Sequence, residues 1–160
     1  METKPLAAGK RVDGSERSAT AKKVLRLYAR LAIAAGFLSA VADRFGLWGP
    51  AGSARVAWGN WKNFVAYTAV LNFFLPRWSA PLLAAVVTIA ETTLGILLIL
   101  GLWQRVTAAV SAALLCLFAV AMSVALGVEA PLDYSVFSAV AAAGLLYVCA
   151  DNRNTKQSGE

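Results

Sequence analysis

The chain has 160 residues, of which 59% are hydrophobic and 15% charged, with a mean hydropathy of +0.62. An ordinary soluble domain carries about 25% charged residues, and one of this size cannot hide so large an apolar excess, so the composition is that of a membrane protein. With no histidine, two cysteines and two methionines, the chain has almost no ligands for zinc, haem, copper or iron–sulfur clusters. Cys116 and Cys149 lie singly in apolar runs with no C-x-x-C partner, which argues for buried packing residues and against a thioredoxin-type pair or a disulfide scaffold.

Residues 1–21 are polar, basic and rich in small side chains and read as a disordered cytoplasmic arm. The uncharged run at 31–42 follows Lys22, Lys23, Arg26 and Arg30 and ends in Ala40-Val41-Ala42, an imitation of a signal-peptidase site. Because the apolar helical pattern continues through Phe45 and the arginines can snorkel to the interface, a retained first span is preferred to a cleaved leader. From 43 to 78, Gly46, Gly49, Pro50 and Gly52 break the helix. Trp58, Trp61, Phe64 or Val65, Thr68, and Leu71 or Asn72 then recur at helical spacing, and Asn60, Asn63 and Tyr67 occupy another face. This amphipathic segment is expected at the outer membrane interface, as a cap over the bundle or a lid on a lipid-facing cleft.

Three further apolar runs, 79–103, 106–128 and 134–150, are long enough to approach or cross the hydrocarbon core. The expected architecture is therefore all-α, a membrane-embedded four-helix bundle over 22–150 with an amphipathic interfacial segment between helices 1 and 2 and a polar tail at 151–160. With both termini inside, eleven basic residues fall on the cytoplasmic side, while Arg44, Arg55, Lys62 and Arg77 fall outside. Topology and anionic lipid thus account for the net charge of +6 without a nucleic-acid partner. The expected location is a plasma membrane, crossed several times with both termini in the cytoplasm.

Glu91 stands near the middle of the second span, where a carboxylate requires a partner. It shares a helical stripe with Gly95 and Arg105, and the first helix offers Arg30 or Arg44 as the buried cation, a choice the sequence leaves open. Asp133 is expected to cap the fourth helix, and Asp43, Arg44, Asn60, Tyr67 and Asp133 are expected as a polar cluster in the outer leaflet. No metal site is expected.

The segments from Phe37 through Asp43-Arg44 to Gly49, from Ala57 through Asn60 to Tyr67, Ala90-Glu91-x-x-Leu-Gly95 followed by Leu100-Gly101-x-x-x-Arg105, and Ala130-Pro-Leu-Asp133-Tyr-Ser-Val-Phe resemble the DoxX family of bacterial four-helix membrane proteins. The resemblance implies an integral membrane subunit associated with quinone-linked oxidoreduction or redox-stress complexes, dependent on a soluble or membrane redox partner. No cofactor bound by the chain itself is expected; a quinone is the one compatible with Glu91, Arg44, Asp43, Asn60, Tyr67 and Asp133. A non-catalytic anchor or assembly protein and a small-solute or lipid carrier are the alternatives.

Overall fold

The computed structural model describes residues 14–150, and side chains from Glu16 onward. It contains six α-helices: α1 (Gly14–Arg44), α2 (Trp61–Leu71), α3 (Ala80–Leu100), α4 (Gln104–Leu126), α5 (Glu129–Asp133) and α6 (Val136–Cys149). A 3₁₀ turn at Arg77–Ser79 leads into α3, and no strand occurs among the described residues. Three stretches are long and apolar enough to cross a membrane: Glu16–Arg44, Arg77–Leu100 and Gln104–Leu126. Their outward side chains are apolar, Leu82, Ile89, Leu117 and Val124 among them, as a lipid-facing surface requires. The protein is a multi-pass membrane protein.

Two boundaries differ from the sequence-based expectation. The first helix reaches back to Gly14, into the segment read as a disordered arm, because nothing from Ser15 to Ala35 is a glycine or proline that would stop it. Residues 1–13 and the tail at 151–160 lie outside the described residues. The fourth apolar helix is short: α6 has 14 residues, about 21 Å of rise against roughly 30 Å of hydrocarbon. Asp133 does not open it. Pro131 sits in the first turn of the separate helix α5, where its missing N–H is tolerated, and Asp133 is the last residue of that helix. Ser135 then takes a left-handed conformation (φ 55°) that separates α5 from α6.

The core joins α1 to α3 and α4 to α6 through Ile33, Ala34, Phe37, Leu94, Leu98, Ala108, Leu115, Ala143 and Leu146. Small residues set the helix separations. Ala34, Ala108 and Ala143 are fully buried, and a Cβ added at Gly95 would lie 2.9 Å from Leu38 Cγ and 3.6 Å from the Ala34 carbonyl oxygen. The helices α1 and α3 run antiparallel, since Arg30 meets Leu98 while Arg44 meets Thr88. The remainder of α3, from Thr88 back to Ala80, extends about 12 Å beyond the end of α1. Here α2 packs against α3 and α4, and Ala80 and Ala84 are buried. The amphipathic segment is thus seated in the bundle through Phe64 and Thr68.

Gly95→Ala is expected to destabilise the folded chain by about 1–3 kcal/mol, because the added methyl forces Leu38 and α1 outward. Gly144→Ala, where a Cβ meets nothing within 4 Å, is expected to be neutral. Thermal unfolding of both variants in one detergent checks the difference, and equal midpoints would remove Gly95 from the helix seam.

Candidate functional site: a buried ion pair under an aromatic cover

The site is built at the place where α1 stops. Gly46 adopts φ +73°, and a Cβ there would come 2.9 Å from the Gly59 carbonyl oxygen, so the two ends of the 45–60 excursion pass close together only because glycine stands at this crossing. Asp43 fastens the crossing: its Oδ2 accepts a hydrogen bond of 2.7 Å from the Trp58 backbone N–H. Asn60 then caps α2 by accepting from the Asn63 N–H at 2.8 Å, and the Asn63 side chain donates to the Trp58 carbonyl at 2.9 Å. These local bonds place Trp58 and the first turn of α2 over the last residue of α1.

That residue is Arg44, 2% exposed, and its guanidinium forms an ion pair with Glu91, also 2% exposed. Arg44 Nη1 also donates to Thr88 Oγ1 at 2.8 Å, and this hydroxyl donates to the Ala84 carbonyl at 2.7 Å. Thr88 precedes Glu91 by three residues, so both present to Arg44 from one face of α3. On its other side the guanidinium lies 3.8 Å from the ring centroid of Phe64 and 5.5 Å from that of Trp58, a cation–π arrangement in a desolvated place. Trp58 stands edge-on to Phe64 at 5.0 Å and leans on Tyr67 at 5.6 Å, while Phe45 stacks on Trp61 at 6.1 Å. Burial pushes the Tyr67 hydroxyl above the usual tyrosine range, with a smaller contribution in the same direction from Tyr134.

The expected site residues are therefore only partly brought together. Glu91 and Arg44 touch, Asp43 holds the loop beside them, Asn60 serves as a helix cap, and Tyr67 belongs to the aromatic cover. Asp133 stands exposed at the end of α5, and the residue that approaches Tyr67 is its neighbour Tyr134. Arg30 does a different job. Its Nε and Nη2 donate to the carbonyls of Leu98 and Ile99 at 2.9 and 3.0 Å, capping α3 seven residues, or about 10 Å, from Glu91. Of the two cations of the first helix offered for Glu91, Arg44 is the one that reaches it. Thr88 and Phe64 complete the environment of Arg44; the three-residue step from Thr88 to Glu91 and the aromatic stripe of α2 were the signals for them.

Among the described residues no group of three or more Cys, Asp or Glu is arranged to hold a metal ion. Cys116 and Cys149 are free thiols on different helices, and both are exposed on the outer surface of the bundle instead of buried in its packing. Chemically, the arrangement is a charge-assisted clasp joining α1, α2 and α3, with both ions removed from solvent.

Glu91→Gln leaves the Arg44 charge uncompensated and is expected to lower stability by about 3–5 kcal/mol. Arg44→Met in the same background is expected to recover part of that loss, giving a positive interaction energy in a double-mutant cycle. Strictly additive losses in denaturant or thermal unfolding would mean that the two side chains do not act as a pair.

A family model described as methylamine utilisation protein MauE matches residues 22–133, from α1 through α5, including every residue of the clasp and its aromatic cover. No curated protein and no solved structure matches the chain. The match overturns the resemblance to DoxX. The motifs that carried that resemblance, a buried acid, a small residue one turn on and an arginine at the helix end, are what packing demands of many membrane bundles and do not separate one family from another. The chain belongs to the MauE family of membrane proteins.

Proposed function

We propose that this chain is an integral-membrane accessory component of an oxidoreductive system of the methylamine-utilisation kind, and that it works through a partner protein instead of turning over a substrate alone. The observation that carries the reading is the closure of the clasp. Arg44 and Glu91 neutralise each other beneath Trp58 and Phe64, with their side chains only 3% exposed; although Arg44 Nε lacks an acceptor, the pair holds the scaffold together and faces no open chamber. A quinone headgroup would have to displace both aromatic rings to reach them, and in this reading any quinone linkage belongs to the partner. The chain's own residues agree with an accessory role: there is no histidine, and the two cysteines are not paired. The family name supports methylamine utilisation as the setting.

Four crossings with both termini in the cytoplasm complete the proposal. Arg26, Arg30 and Arg105 meet the ends of α6 and α3 at one end of the bundle, the asymmetry expected of a cytoplasmic face in a bacterial inner membrane. The fourth crossing is α6, shortened and continued outward by α5.

Affinity purification of the chain from native membranes is expected to bring down a redox protein in stoichiometric amount. The isolated chain is expected to show no amine- or thiol-dependent quinone reduction until that protein is restored; robust turnover by the isolated chain would refute the accessory reading. For the topology, Arg55→Cys in a background lacking Cys116 and Cys149 is expected to react with an impermeant maleimide from the outer side of intact cells. Reaction only after the cytoplasmic side is opened would refute the proposed orientation.

A further inference from the structure

At the end of the bundle opposite the aromatic cover, α1 overhangs its neighbours. Arg26 Nη1 donates to the Cys149 carbonyl at 3.0 Å and Arg30 caps α3, so these two arginines mark the level at which α6 and α3 stop. The helix continues from Arg26 back to Gly14, a further 18 Å or about that. Lys22, Arg26 and Arg30 follow at four-residue steps, and Lys23 lies seven residues from Arg30, so all four share one side of α1. Lys22 and Lys23 are exposed. At this end the described residues comprise Arg17, Lys22, Lys23, Arg26, Arg30 and Arg105 against the single acid Glu16.

Below the overhang, Arg30 lies over a crevice that is closed beneath the surface, with Leu97, Leu102 and Gln104 at its mouth and Thr107 and Leu146 buried under them. Two of its guanidinium nitrogens cap α3, while Nη1 has no hydrogen-bond partner among the described residues. The crevice is amphiphilic, with an arginine and an amide above a wall of leucines. Its depth in the membrane is marked by Trp103 and Tyr28, which are 75% and 72% exposed at the same end, where aromatic rings meet the headgroup layer. Lys22 lies about 6 Å beyond Arg26, within the ~5–8 Å that headgroups add to each side of the hydrocarbon core. Because α1 is unbroken through this region, its lysines are held at that level.

We propose that this corner, between the overhanging α1 and the turn from α3 to α4, is a binding site for the phosphate headgroup of an anionic phospholipid. Arg30 Nη1 and the Gln104 amide meet the phosphate, Lys22 and Lys23, about 10–12 Å further out along α1, add the positive potential that attracts an anionic headgroup, and Leu97 and Leu102 provide the surface along which an acyl chain lies. A soluble acidic protein or a nucleic acid fits the corner less well, because half of its lining is apolar and at membrane depth. The inference stands apart from the partner-dependent function, since it concerns the opposite end of the bundle and needs no redox protein.

Native mass spectrometry of the full chain in detergent, titrated with phosphatidylglycerol or phosphatidylcholine, tests it. One phosphatidylglycerol per chain is expected to be retained in preference to phosphatidylcholine. Lys22→Gln and Lys23→Gln, which cap nothing, are each expected to weaken retention about fivefold, while Lys62→Gln on α2 leaves it unchanged. Equal retention of the two lipids would overturn the proposal, as would equal losses for Lys23→Gln and Lys62→Gln. Capture of an acidic protein at these lysines without lipid preference would overturn it too.

Discussion

An arginine and a glutamate buried within an apolar bundle constrain everything around them. Each ion by itself in hydrocarbon carries a desolvation penalty of several kcal/mol, and the pair is tolerable only where the geometry is good and the remaining donors find acceptors. Arg44 meets the first condition by taking Glu91 and Thr88 from α3 and resting its face on Phe64 of α2, while its Nε stays buried without a hydrogen-bond acceptor. The end of α1, the path of the excursion and the seat of α2 are consequently coupled. If α1 continued beyond Arg44, the space that α2 uses to cover the pair would be filled by the wrong helix. The two glycines at the crossing, Gly46 and Gly59, and the Asp43 carboxylate on the Trp58 N–H make the interruption compact.

Three arginines on one helix show how position decides what a side chain does. Arg26 and Arg30 lie where neighbouring helices end, and there the strongest available acceptors are the unpaired carbonyls of the last turn. Arg44 lies beside the interior of α3, where the carbonyls are engaged in the helix and the acceptor must be a side chain. The result is a bundle closed by polar contacts at two levels, capped termini at the basic end and the carboxylate clasp within. Between these levels the packing is carried by alanine, glycine and leucine. A closed bundle of this kind suits a component that presents a fixed surface to a partner, which is how the proposed accessory function joins to the geometry.

The physical signals strongest in the sequence were those that do not depend on the neighbours. The length of an uncharged run against the thickness of a bilayer identified three long spans, and the surplus of cations gave an expected orientation. A carboxylate at mid-span announced that a partner was needed, because its cost arises from the surroundings whatever the fold. The aromatic stripe of α2 was legible for the same reason, as a periodicity internal to one segment. The resemblance to DoxX misled because its motifs record the general demands of helix packing, and the family match was required to separate them.

What the tertiary structure alone decided is the pairing between segments. Arg30 and Arg44 stand on the same helix and are equivalent as charges; the antiparallel register of α1 on α3, set by the close approach at Gly95, brings Arg44 to Glu91 and Arg30 to Leu98. Asp133 looked like a helix cap because an acid followed a proline. Yet Pro131 belongs to a separate short helix, and the left-handed turn at Ser135 carries α6 away from that acid. Sequence periodicity fixes which residues share one helix face, since 3.6 residues per turn is a local rule. Which face meets which neighbour, and at what depth, follows from long-range close packing and from the need to satisfy a buried charge, and both conditions exist only once the helices are assembled.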